Sequence, residues 1–325
     1  MNLLRRRFLH LAAAAATIPA LSRFAGAQAY PSRPVRLVVG FPAGSAADIV
    51  ARLIGQWLAD HLGQPFIIEN RPGAGGNIAT EAVVRAAGDG YSLLWVTSAN
   101  AISATVYDNL SFNFINDIAA VASIARGPYV MVVNPSFPAK NVPEFVAYAK
   151  ANPGKVTMAS AGAGTGTHVT GALLMRMTGI DMVHVPYRGD TPALTDLLAG
   201  QVQVYFSTLP PCIENIRAGK LRALAVTTAA RSEALPEIAT VGESVPGYEA
   251  SLWNGIGAPK GTPAEIVEKL NGEINAALAD PKIKARLSGL GSTVYTSSVP
   301  EFGKLIAQDT EKWGSLIRAA NIKAE

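Results

Sequence analysis

VRLVVGFPAGSAAD, residues 35–48, joins two periodicities in one short stretch. Residues 35–40 are almost continuously apolar and β-branched, the pattern of a strand covered on both faces. FPAGS then supplies turn chemistry. Ser45 and Asp48 stand three apart, as in a capping box, ahead of Ile49, Leu53 and Trp57 at four-residue spacing. A buried strand, a tight turn and a capped amphipathic helix are the repeating unit of an α/β fold.

The same unit recurs along the chain. Apolar runs at 66–69, 92–97, 129–134, 156–159, 182–185, 202–207 and 221–227 alternate with helical patterns. Residues 262–265 and 298–301 read as capping boxes opening two C-terminal helices. This alternation predicts a largely parallel α/β fold. Loop-rich stretches at 110–127 and 231–248, with a return through 252–258, predict two crossings between lobes. Residues 30–130 with 253–325 are expected to form a discontinuous first lobe, and 131–252 an inserted second lobe.

Charge excludes several partners. The chain has 28 basic and 24 acidic residues, but Arg5, Arg6, Arg7 and Arg23 lie in the first 29 residues, which hold no acid. Without that leader the two signs balance at 24 each, so neither nucleic acid nor a membrane surface is an expected partner. The leader has the parts of an export signal: three arginines, the apolar stretch 9–18, and Ala27-Gln28-Ala29 as a cleavage site. Periplasmic export is expected, by the twin-arginine or the general secretory route, with cleavage after Ala29. Cys212 is the lone cysteine, so no intramolecular disulfide supports the exported domain. His61, His168 and His184 show no ligand-like spacing, and neither a metal nor a cofactor is expected.

Two turns stand where open α/β sheets bind ligands, beyond strand ends and at helix starts. One is FPAGS, residues 41–45; the other is SAGAGTGTH, residues 160–168. Small residues let backbone N–H groups approach a ligand, and helix N-termini favour negative charge. The glycine spacing of 162, 164 and 166 misses the dinucleotide fingerprint, and no Gly-Lys-Ser/Thr follows. One such loop in each lobe gives an anion two half-sites. Other candidates are Ser98 and Asn100 beside the end of strand 92–97, and Ser207 at the end of 202–207. Tyr187, Arg188 and Asp190 complete the set. Arg188 offers a carboxylate fork or a surface pair with Asp190. Asp48 serves equally as a capping carboxylate, and the glycines and His168 equally as turn and packing groups. No catalytic signature is present: there is no G-x-S-x-G, no H-E-x-x-H, and Ser207 and Cys212 lack a base nearby in sequence.

Taken together, these stretches resemble a known family. VGFPAGSAAD (39–48), ENRPGAGGN (69–77), DGYSL (89–93), SAGAGT (160–165), PYRG (186–189), DLLAG (196–200) and APKGTP (258–263) resemble, in order, the signatures of tripartite tricarboxylate transporter substrate-binding receptors, also called Bug receptors. The resemblance covers essentially the whole chain after the leader. It implies a two-lobed α/β periplasmic binding protein of type II (a Venus flytrap), with the ligand in a cleft between lobes. It implies a monomeric solute receptor with no catalytic residues, delivering a small organic carboxylate to membrane transporter subunits. The ligand class is a di- or tricarboxylate, an acidic amino acid or an aromatic acid. Carried over, the ligand-binding positions are Phe41, Ala43, Gly44 and Ser45 on one loop, and Ser160, Gly162, Gly164, Thr165 and His168 on the other. Ser45, Arg188 and Asp190 depart from the usual pattern, which bears on ligand identity. An exported hydrolase or transferase using Ser207 or Cys212, and a receptor feeding a signalling partner, are the alternative readings.

Overall fold

In the computed structural model, which describes residues 30–320 and 322–323, the stretch 35–48 folds as its pattern dictates. Strand β1 (Val35–Val39) buries Val35, Leu37, Val38 and Val39 completely, and helix α1 (Ala46–Leu62) follows the FPAGS turn. The export-signal residues 1–29 lie outside the described residues. The fold below is that of the unit Arg33–Glu325.

The chain continues through β2 (Phe66–Asn70), α2 (Asn77–Val84), β3 (Ser92–Thr97) and α3 (Ser98–Val106). Strands β2 and β3 run parallel to β1 on either side. Then comes β4 (Ile118–Val133), followed by α4 (Val142–Ala151), β5 (Val156–Ser160), α5 (Gly166–Thr178), β6 (Met182–Pro186), α6 (Asp190–Leu198), β7 (Val204–Thr208), α7 (Leu209–Arg217) and β8 (Arg222–Val226). Strands β6 and β7 both pair parallel with β5. The chain closes with β9 (Ser251–Pro259), α8 (Ala264–Ala279), α9 (Pro281–Gly289), β10 (Thr293–Val294) and α10 (Val299–Ala320). The strand order is β2-β1-β3-β9-β4-β7-β5-β6, with β8 and β10 attached to β4.

The sheet is mixed rather than largely parallel. Every antiparallel pairing involves β4 or β9: β4 meets β7, β8, β9 and β10, and β9 meets β3. These two strands carry the chain from one half of the sheet to the other and back, so they run against their neighbours. The stretch 110–127, expected to be loop, is largely strand. Residues 118–128 of β4 pair with β9 and residues 129–133 with β7 and β8. Its alanines and its Gly127-Pro128 pair give little strand propensity, and burial on both faces overrides them. The register shifts between Ala120 and Ala122, and between Ser123 and Ala125. Each bulge frees a carbonyl, and each is satisfied from outside the ladder. Asn271 Nδ2 donates to Val121 O at 2.7 Å, and Tyr295 N donates to Ile124 O at 3.0 Å.

The capping boxes differ in outcome. Ser298 and Glu301 form one, with Ser298 N donating to Glu301 Oε2 at 2.8 Å and Glu301 N to Ser298 Oγ at 3.4 Å. Thr262 does not cap α8; its hydroxyl donates to Pro259 O at 2.8 Å, and Pro263 occupies the cap position. At α1, Ser45 Oγ accepts from Asp48 N at 3.3 Å, but the Asp48 carboxylate reaches back to Gly44 N, because Ser45 N already donates to Pro42 O.

Candidate functional site

Parallel strands put their carboxyl ends, and the helix starts that follow, on one edge. On one side of the sheet these are the ends of β1 and β3; on the other, the ends of β5, β6 and β7. A cavity of about 80 Å³ lies where the two sets meet. It is several times the roughly 10–15 Å³ that one water needs.

Its wall carries the first residues of four helices: Ala46 and Ala47 of α1, Ser98 and Ala99 of α3, Gly166 and Thr167 of α5, and Asp190 of α6. Thr208, the cap residue of α7, joins them. N–H groups in a first helical turn have no carbonyl partner within the helix. Each helix start also presents partial positive charge, favouring an anion by roughly 0.3–1 kcal/mol. Among the described residues the wall holds no lysine or arginine, so positive potential there comes from peptide dipoles. Phe41, Leu252 and Trp253 supply an apolar side. That mixture suits an organic anion with a hydrocarbon body better than a bare inorganic ion.

Of the expected residues, Phe41, Ser45, Ser98, Thr165 and Asp190 lie on this wall. The others sit around it or away from it. Ala43 and Gly44 are exposed in the turn. Asp48 is buried and holds the turn in place: its carboxylate accepts from Gly44 N at 2.9 Å, Asn70 Nδ2 at 2.9 Å and Arg52 Nε at 3.0 Å. Burial raises its pKa, but the hydrogen bonds from Arg52, Gly44 and Asn70 outweigh that and hold it below the usual carboxylate value. Asn100 is spent on capping, accepting from Thr97 N at 2.8 Å and donating to Thr80 Oγ1 at 2.8 Å.

The loop 160–168 is wired to itself. Ser160 Oγ lies 2.6 Å from His184 Nε2 and donates to Gly162 O at 3.1 Å. Thr165 Oγ1 donates to the same carbonyl at 2.7 Å, and Ala161 N donates to Thr167 Oγ1 at 2.8 Å. His168 stacks on His184, ring centroids 3.6 Å apart and 2° from parallel, and its Nδ1 accepts from Gly164 N at 3.1 Å. Burial, then the neighbouring His184, pushes His168 down to about 3, so it is a neutral packing and acceptor group. Gly164 has φ +70°, and a Cβ there would sit 2.5 Å from Val106 Cγ1. A valine at 164 would therefore disturb packing and cannot report on the ligand alone.

Tyr187 donates to Asp196 Oδ2 at 2.6 Å and packs on the core beside β7. Arg188 is exposed, and among the described residues it forms no ion pair; Asp190 is held instead by the Tyr205 hydroxyl. Ser207 is fully buried and donates to Thr208 O at 2.8 Å. The Cys212 thiol donates to Thr208 O at 3.3 Å, and burial pushes it up to about 12. A thiol so disposed is not a thiolate nucleophile. Among the described residues no cluster of three or more His, Cys, Asp or Glu could hold a metal ion.

Tyr129, Trp253 and Asn254 line the cavity without having been anticipated. They lie on β4 and β9, the strands that cross between the halves of the sheet. The helix starts at 46–47, 98–99 and 166–167 were within reach of sequence reasoning, since each follows an apolar strand. A Cβ at Gly166 would lie 1.7 Å from Tyr129 Oη, so the glycine lets the crossing strand reach the wall.

The sequence matches the family described as "Tripartite tricarboxylate transporter family receptor" over residues 50–322. The chain belongs to that family. A UPF0065 protein from the tcbD-tcbE intergenic region of Pseudomonas sp. strain P51 is 37% identical over 318 residues, 97% of this chain and 94% of that one. Rpa4515 of R. palustris, solved with adipate, is 35% identical with a TM-score of 0.87, covering 90% of this chain and 99% of its own. MatC (Rpa3494) from Rhodopseudomonas palustris, solved with bound malate, is 31% identical with a TM-score of 0.83, covering 89% and 100%. Receptors of this family are periplasmic substrate-binding proteins of the two-lobed α/β fold, not enzymes. Among the described residues, no helix of the receptor is long and apolar enough to cross a membrane.

Proposed function

We propose that this receptor is exported to the periplasm, captures a small organic carboxylate in the cavity between helix starts, and delivers it to a tripartite-type membrane transporter. The observation that carries this reading is the convergence of four helix N-termini on a wall with no cationic side chain. Dipoles on rigid elements offer directed N–H groups without a full charge, which suits a ligand that must be both held and released. Relatives solved with adipate and with malate support a dicarboxylate-sized ligand.

In this reading residues 30–130 with 253–325 form one lobe and 131–252 the other, and the ligand shifts the population toward closure. Phe41, Ser45, Ser98 and Thr165 contact it directly, while Asp48, Ser160, Gly162, Gly164 and His168 hold the two loops in shape. Residues 1–29 act as a cleaved export signal, by either route, and the receptor works as a monomer. A thermal-shift screen over mono-, di- and tricarboxylates, acidic amino acids and aromatic acids tests this. An acid at a hundred times its dissociation constant is expected to add about 2.7 kcal/mol and visibly raise the melting temperature. A shift given only by sugars or cations would overturn the proposal.

A further inference from the structure

Asp190 brings the one carboxyl group to the described cavity wall, at the start of α6. It accepts from the Tyr205 hydroxyl and, among the described residues, has no ion-pair partner. Helix α6 packs on β5, β7 and α7. Strand β5 carries no titratable side chain, and β7 offers only the fully buried Tyr205. On α7, burial pushes the Cys212 thiol up to about 12, while Glu214 and Arg217 pair with each other at the surface. Across the wall, burial raises the Tyr129 hydroxyl too, and the stacked His168 and His184 are turned to Gly164 and Ser160. On its own segment, Arg188 is exposed and Asp196 accepts from Tyr187. No described cation neutralises Asp190, and burial raises its pKa toward the neutral form.

The helix starts on the wall form two sets, α1 and α3 on one side and α5 and α6 on the other. Two sets suit the two ends of a dicarboxylate, and Asp190 stands in the second. Two carboxylates that meet in a cation-free pocket share a proton rather than both ionise. The Tyr205 hydroxyl donates to Asp190 Oδ1 and leaves Oδ2 to carry that proton. Thr208 Oγ1, on the same wall, lacks a partner and adds a second neutral donor. We infer that Asp190 is protonated when the ligand is bound, its neutral carboxyl group donating to one carboxylate of a dicarboxylate while the starts of α1 and α3 take the other. The proton comes from solvent, so capture is proton-linked. Affinity is greatest at low pH and falls as rising pH ionises Asp190 in the empty receptor.

The inference rests on the receptor reading above, and its test separates the two. Infrared difference spectra of the adipate complex at neutral pH are compared for wild type and Asp190→Asn. The adipate is isotopically labelled at its carboxyl carbons to move the ligand's own bands. The wild-type complex is expected to show the C=O stretch of a protonated carboxyl group that Asp190→Asn lacks and the label does not move. Tyr205→Phe keeps the ring and removes the hydroxyl, so it should shift that band and secure the assignment even if Asp190→Asn does not fold. Calorimetric titrations from about pH 6.5 to about pH 9 add the linkage. Above the pKa of Asp190 in the empty receptor, the wild-type dissociation constant should rise by up to about tenfold per pH unit, a slope absent from Asp190→Asn. A complex without the band, a band that moves with the label, a slope that survives Asp190→Asn, or an affinity that improves as pH rises would overturn the inference and leave the receptor reading standing. Failure of every carboxylate, adipate included, to bind at any of these pH values would overturn both.

Discussion

Gly166→Ala is expected to lose about 2 kcal/mol of stability and lower the melting temperature by roughly 5 °C. Gly166 opens α5, where alanine would ordinarily gain about 1 kcal/mol of helix propensity. The added methyl would lie 1.7 Å from Tyr129 Oη and 2.6 Å from Cζ. Tyr129 has little room to retreat: it is 4% exposed, and its backbone N–H and C=O are both tied to Thr227, at 2.9 and 3.0 Å. Because both residues line the cavity, ligand affinity should fall with stability. Tyr129→Phe removes the closer of the two atoms, so the double variant should recover part of the loss, and thermal melts of the four-member cycle measure that coupling. A Gly166→Ala variant more stable than wild type would show that propensity, not close approach, governs this position.

Asp48→Ala is expected to cost about 2–3 kcal/mol in chemical denaturation. The Arg52 pair adds little to that figure, since its guanidinium is half exposed. The cost comes from Gly44 N and Asn70 Nδ2, which lose the acceptor that fixes the turn 41–45. Asp48→Asn keeps one acceptor and should cost less. The folded pKa of Asp48 is held below its unfolded value, so its contribution is complete above the unfolded pKa of about 4 and is lost as pH falls through the folded value. Denaturation between pH 7 and pH 3 should therefore show wild type and Asp48→Asn converging at the acid end. A constant gap would exclude this linkage.

The strand–turn–helix units were legible because each combines a continuous apolar run with a turn and a helix start, as residues 35–48 do. Strand β4 was legible only in its last part, 129–133; residues 118–128 were not. Alanine is a weak strand former, and Gly127-Pro128 looks like a turn until both faces are seen to be covered. Tyr129, Trp253 and Asn254 lay on segments the sequence marked, but the long antiparallel pairing of β4 with β9 that brings them to the cavity was not visible in it. The two loops were found, yet several polar side chains chosen in them do a different job. Asp48, Asn100, Ser160 and His168 all bond to the backbone of their own turns. Where a cavity wall is built from helix starts, residue type marks what shapes the loop more than what faces the cavity.

The cavity wall also carries its own optical reporter. Trp253 lines the cavity, and its Nε1 donates to Asp309 Oδ2 at 2.7 Å. Trp313, packed in the core around β4 and β7, donates to the same oxygen at 3.1 Å. One indole therefore faces the cavity and shares a carboxylate with a second that does not line it. Ligand arrival at this wall should change intrinsic tryptophan emission without any attached dye, and Trp253→Phe should abolish the change while Trp57, Trp95 and Trp313 remain as a constant background.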